Sequence, residues 1–192
     1  MIALALDVES TGLSPVDSQM LEICGIVFDV YGEGTIATFH EIVNPRADTI
    51  SGNPYALAMN AGLIQKISDG QGTPGELVSE RFDLFLQSNF GFERVVIAAK
   101  NPSFDISFAH TLGHRTFPDD KSWQTKDVNP AIRFHRRTID PAILYMQKGD
   151  SAPPDLKTCL LRAGIEQGPE HEAASDAMAI VNLVQHYYRS QS

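Results

Sequence analysis

The chain opens on an apolar run that ends in two acids: Leu4-Ala5-Leu6-Asp7-Val8-Glu9-Ser10-Thr11-Gly12-Leu13. The aliphatics from Ile2 to Leu6 read as a strand buried on both faces, central in a sheet. Side chains of a strand alternate between faces, so Asp7 and Glu9 point the same way, roughly 7 Å apart at their Cα atoms. Two acids on one face at the end of a core strand are costly to desolvate unless something positive lies between them. A divalent cation is the natural partner. A strand end whose acids are simply solvated is the alternative.

Two more acids fall where core residues belong. A helix is expected to begin near Ser103, after the strand Val95 to Ala99, with Phe108, Ala109 and Leu112 as its apolar stripe. Asp105 lies on that stripe. The segment after His171 reads as a helix through Tyr188 with a stripe of Ile180, Leu183, Val184 and Tyr187, and Asp176 precedes Ile180 by four residues on the same face. One acid on a core face can be a cap or a hydrogen-bonded buried Asp. Two of them beside the Asp7/Glu9 pair form a constellation that such local roles strain to explain together.

These residues resemble a known family. Asp7-x-Glu9-x-Thr11-Gly12-Leu13, then Asn101-x-x-Phe104-Asp105, then His171 with Asp176 five positions on, look like the three exonuclease motifs of the DnaQ-like DEDDh 3′–5′ exonucleases, relatives of proofreading subunits and ribonuclease T. The likeness covers nearly the whole chain. It implies an α/β, ribonuclease H-like fold with a mixed central sheet flanked by helices. It implies two divalent cations, Mg²⁺ or Mn²⁺, held by Asp7, Glu9, Asp105 and Asp176, with Asp7 shared between them and His171 as the general base. It also implies that the backbone of Thr11 and Gly12 meets the terminal sugar and that Leu13 wedges against the last base. Lys100 before Asn101, Pro102 after it, and a long stretch from Ser122 to Arg137 depart from the compact relatives. They bear on substrate contacts more than on the cation ligands.

Length and composition agree with a single exonuclease domain over 1–192. The chain is 43% apolar and 20% charged, an ordinary globular balance. No apolar run approaches the ~20 residues of a membrane span, so no membrane partner is expected. Cys24 and Cys159 lie in apolar segments and read as reduced core thiols, which points to a cytoplasmic setting. The net charge is −9, against the rule for proteins that hold nucleic acid by charge. Residues 94 to 137 nevertheless carry a local balance of +4. Arg133, His135, Arg136 and Arg137 could face phosphates or simply be solvated.

The remaining elements follow from turn and cap signals. Met20 to Tyr31 and Thr35 to Val43 read as strands joined at Gly32-Glu33-Gly34. Asn53-Pro54, Asp140-Pro141 and Asp155 mark helix starts, with Gly164 a helix stop. Thr73-Pro74-Gly75-Glu76 reads as a capping box, and the helix at Asp140 is expected to end near Gly149. Asn101, Phe104 and Phe108 are candidates for contacting the penultimate nucleotide, although both Phe residues fit a helix core face equally well. His40, His110, His114 and His186 read as surface residues, and Asp140 as a cap outside the site.

The reading favoured is a metal-dependent 3′–5′ exonuclease acting on single-stranded DNA or RNA 3′ ends and releasing nucleoside 5′-monophosphates. A silent nucleic-acid-binding domain of the same fold is one competitor, but all five motif residues are present. A polymerase-associated subunit is another. The short stretch after the last helix suggests no docking tail, so a monomer or homodimer is expected.

Overall fold

The computed structural model describes residues 1–45, 49–112, 134–166, 168 and 172–191. Its strands are β1 (Ile2–Ser10), β2 (Met20–Asp29), β3 (Ala37–Asn44), β4 (Thr73–Pro74) and β5 (Ile97–Ala98). Its helices are α1 (Pro54–Met59), α2 (Ala61–Ser68), α3 (Gly75–Phe90), α4 (Pro102–Thr111), α5 (Pro141–Leu144), α6 (Leu156–Ala163) and α7 (Ala173–Ser190). The strands form one mixed sheet in the order β4-β3-β2-β1-β5. β1, β2 and β3 pair antiparallel, while β5 runs parallel to β1. This is the expected mixed α/β sheet, with the Gly32–Gly34 turn joining β2 and β3.

The two faces of β1 carry different side chains, and this decides what packs on each. Leu4, Leu6 and Val8 face a core shared with Val78, Phe82 and Leu86 of α3 and Phe108, Ala109 and Leu112 at α4. Ala3 and Ala5 face the other way, onto Ala173, Ala177, Ile180, Val181 and Val184 of α7. Small residues on both sides let the helix lie close to the strand. Full burial of Ile180, Val181 and Val184 stabilises this contact by about 1.5–3 kcal/mol each. Asp7 and Glu9 continue the Ala3–Ala5 row, so the first turn of α7 is the part of that helix nearest to them.

Several local expectations hold. Asn53 caps α1 by accepting from the Tyr55 N–H, Asp155 caps α6 by accepting from Thr158, and Gly164 ends α6 at φ 68°. Others are corrected. The capping box at Thr73 does not form: Thr73 pairs with Val43 in β4 and its hydroxyl donates to Glu41 instead, so α3 starts without a side-chain cap. The strand at Val95 to Ala99 shortens to Ile97–Ala98, with a single bridge from Val95 to Phe134 beyond it. The helix at Asp140 stops at Leu144 rather than near Gly149. Cys24 and Cys159 are buried free thiols, with burial pushing the Cys24 thiol up to about 12 and that of Cys159 to about 11. Among the described residues no helix is long and apolar enough to cross a membrane.

Candidate active site

The site forms where β1 outruns its neighbour. β5 ends at Ala98, and the register of β1 shifts between Glu9 and Ser10, an irregularity that ends regular pairing. The N–H groups of Leu4, Leu6 and Val8 all turn toward β5, and that of Leu4 reaches the Val96 carbonyl. At Val8 no strand remains to accept. Asp105 of α4 takes its place, with Oδ1 accepting from the Val8 N–H at 3.2 Å.

Three carboxylates converge on the α7 face. Oxygens of Asp7, Glu9 and Asp176 lie within 4.8 Å of one another, all three residues half-buried. Asp105 is 1% exposed, and its Oδ2 has no hydrogen-bond partner. An unpaired buried carboxylate oxygen is expensive. Burial, then the charges of Asp105, Asp176, Glu9 and Glu22, pushes the Asp7 carboxyl well above its ordinary range. Asp105 is likewise raised, burial outweighing its hydrogen bonds to backbone N–H groups. Hard oxygen donors that repel one another, beside an orphaned buried oxygen, fit a divalent cation. All four carboxylates read from the sequence are thus brought to one end of β1, three of them mutually and Asp105 on the Val8 N–H between Asp7 and Glu9. His171 lies outside the described residues, as do His114 and Arg133.

The loop after Glu9 is clamped. The Thr11 N–H donates to the Gln19 carbonyl at 2.9 Å, the Thr11 hydroxyl accepts from the Gln19 N–H at 2.9 Å, and the Thr11 carbonyl accepts from the Asn53 N–H at 2.8 Å. A Cβ on Gly52 would sit 2.2 Å from that carbonyl, so only glycine fits there. Thr11 is fully buried and Gly12 is buried too; Thr11's hydroxyl is therefore committed to holding the loop. Leu13, next in line, is 86% exposed. A large apolar side chain held out by a rigid loop beside the carboxylates is free to meet a ligand.

The α4 start is similarly shaped. Asn101 adopts φ 60° and ψ 64°, a left-handed conformation that Asn tolerates better than most residues. Its N–H donates to Asp140 Oδ2 at 3.3 Å, and its side-chain oxygen accepts from the Ser103 hydroxyl. Asp140 caps α5 as expected, through Ala142, but it also fixes the turn that leads into Asp105. Phe104 is half-buried, with Phe108 behind it at 4.9 Å between ring centroids. Phe108 is 1% exposed, so it has no surface to offer a base and serves the core. Arg136 and Arg137 are exposed and His135 half-buried on the edge beyond β5.

Three histidines read as surface residues are not merely that. His40 Nε2 lies 2.7 Å from Glu22 Oε1. His186 Nδ1 lies 2.9 Å from the Tyr145 hydroxyl. His110 has Nδ1 buried without a partner, and burial pushes its pKa down. The sequence reading also passed over Glu22, whose only signal is that it is the one acid within the otherwise apolar stretch Met20 to Phe28.

An exonuclease family model, that of ribonuclease T, matches residues 4–184. The chain belongs to this exonuclease family. Its fold is that of solved E. coli exonuclease I. The complex with a dA16 oligonucleotide matches with a TM-score of 0.70 at 18% identity, over 99% of this chain and 41% of that one. The zinc-bound form of the exonuclease I–ssDNA complex matches at 0.69 and 18%, over the same shares. This chain therefore spans about two fifths of the length of those proteins. No match is found among curated protein sequences. Family and fold together make this a DnaQ-like exonuclease domain of the ribonuclease H-like superfamily, and hydrolysis of nucleic acid is the activity class they support.

Proposed function

We propose that the chain is a 3′–5′ exonuclease that removes nucleoside 5′-monophosphates one at a time from single-stranded 3′ ends, using divalent cations held by Asp7, Glu9, Asp105 and Asp176. The observation that carries this reading is the meeting of three carboxylates within 4.8 Å, backed by the orphaned oxygen of Asp105. Bound divalent cations supply charge neutralisation at phosphorus and acidify the attacking water. Mg²⁺ is the proposed ion and Mn²⁺ a substitute; a zinc-bound form of exonuclease I supports a divalent cation in this fold.

The protein's own groups do the rest. Asp7 and Glu9 sit at the end of β1, where pairing with Cys24 and Glu22 of β2 fixes them before substrate arrives. The clamped Thr11–Gly12 backbone holds Leu13 outward, where it can pack on the terminal base and stop the strand. The half-buried Phe104 and the exposed Asn101 border the α4 side, where the next nucleotide would lie. His171, two residues before α7 in the sequence, would take the proton of the attacking water; an imidazole with pKa near 6.5 suits this at neutral pH. Single-stranded substrates are supported by the oligonucleotide complexes of exonuclease I. The test is direct. Chelation should abolish release of 5′-monophosphates from a single-stranded oligonucleotide, and Mg²⁺ or Mn²⁺ should restore it. Undiminished activity in excess chelator would overturn the reading.

A further inference from the structure

Glu22 is 7% exposed, near the start of β2, and directly opposite Glu9 in the β1–β2 register. A carboxylate buried beside three others raises the local negative charge further, so its retention there calls for strong partners. Both of its oxygens have one. Oε2 accepts from the Ala173 N–H at 3.0 Å, and Oε1 lies 2.7 Å from His40 Nε2 on β3. Glu22 is therefore committed away from the cluster formed by Asp7, Glu9 and Asp176.

The Ala173 bond has a specific consequence. Ala173 is the first residue of α7, and the residue before it, Glu172, makes no side-chain cap. The first N–H groups of a helix need outside acceptors. Those of Ser175 and Asp176 already go to the Glu172 carbonyl. The Ala173 N–H is met instead by Glu22, 151 residues away in sequence. A negative group at this end also complements the helix dipole. Asp176 stands in the same first turn, three residues on. The cap thus ties the turn that carries Asp176 to the strand paired with Asp7 and Glu9.

We infer that Glu22, held in its rotamer by His40, is a positioning residue that sets where Asp176 stands relative to Asp7 and Glu9. This rests on the reading of those three carboxylates as a cation site. Supporting groups behind ligands typically alter metal affinity or activity by about 10- to 100-fold when removed.

The test uses the full chain as wild type, Glu22→Ala, Glu22→Gln and His40→Ala. Three quantities are read: amide exchange at Ala173 in the metal-free protein, Mn²⁺ affinity by titration calorimetry, and kcat and KM on a single-stranded oligonucleotide. Glu22→Ala should speed Ala173 exchange, weaken Mn²⁺ about tenfold, and lower kcat with KM nearly unchanged. Glu22→Gln should recover most of each loss, because its carbonyl still accepts from Ala173. His40→Ala should fall between. If Glu22→Ala does not fold, the other two variants carry the same readouts. Wild-type exchange and Mn²⁺ affinity in the folded variants would overturn the inference. So would a folded Glu22→Gln as impaired as the alanine variant, since charge rather than the cap would then be at work. Wild-type protein that neither binds Mn²⁺ nor releases nucleotides would instead bring down the functional reading, and the Ala173 exchange would still judge the cap.

Discussion

Asp7→Asn should move stability and activity in opposite directions. In the metal-free protein Asp7 sits against Asp176 and Glu9, with carboxylate oxygens within 4.8 Å, and burial and its neighbours hold its pKa well above the ordinary range. Two unit charges at that distance repel by about 3 kcal/mol at an effective dielectric near 20. Proton uptake already relieves part of this, so a neutral isostere should gain about 1–2 kcal/mol. For a chain of this size that corresponds to a Tm higher by about 2–8 °C. Saturating cation should act in the reverse sense. It stabilises the wild type by about 2.7 kcal/mol at a hundred times its Kd, and the variant, short of a charge, should lose most of that. The assay is thermal denaturation of both proteins in chelator and in excess Mn²⁺, with nucleotide release followed in parallel. The expected pattern is a crossing: the variant is the more stable protein without cation, the less stable with it, and nearly inactive. A variant that melts lower in chelator, yet gains as much from Mn²⁺ as the wild type, would refute the placement of Asp7 in a cation site.

His171→Ala should lower turnover by about 10²–10⁴ while calorimetric Mn²⁺ affinity changes little; affinity lost in step with activity would make His171 a ligand or a structural residue. Leu13→Ala should leave Tm nearly unchanged, because the side chain is 86% exposed and such surface changes stay within about ±0.5 kcal/mol, but it should raise KM for single strands. A large fall in Tm would show that Leu13 is structural and end its role as a wedge. The metal-free protein should lose stability to urea as pH rises from the ordinary carboxylate value near 4. Asp7 and Asp105 have raised pKa values in the fold, burial being the largest cause, so the folded state holds protons that the unfolded chain has released and stability falls until both have ionised. A stability that climbs with pH in chelator across that range would contradict the raised values.

What was legible in the sequence was what periodicity can carry. Alternation along β1 put Asp7 and Glu9 on one face, and helical spacing put Asp105 and Asp176 on core faces; the structure brings all four to one strand end. Local caps at Asn53, Asp155 and Gly164 were also legible, because each bond spans only a few residues. The failures share a physical cause, which is competition from distant partners. Thr73 could have capped α3, but Glu41 claims its hydroxyl and β3 claims its backbone. His110 and His186 look like surface residues until the elements around them are assembled, and His40, exposed as expected, gains its Glu22 partner only once β2 and β3 pair. Glu22 caps a helix that begins 151 residues later, and no local pattern announces such a bond. The clamp on Thr11 is of the same kind: its hydroxyl is taken by Gln19 and its carbonyl by Asn53, bonds that no local pattern announces.

The most direct measurement of the central claim is the product pattern from matched linear and circular single-stranded DNA with Mg²⁺. A site built at the end of β1, closed by the outward Leu13, should accept a free 3′-hydroxyl and leave little room for chain beyond it. A 5′-labelled linear strand should therefore shorten one nucleotide at a time from its 3′ end, with 5′-monophosphates as product, while the circle and a 3′-phosphorylated strand resist. Circular DNA cut as fast as linear DNA would contradict the account and leave a metal-dependent endonuclease on this fold.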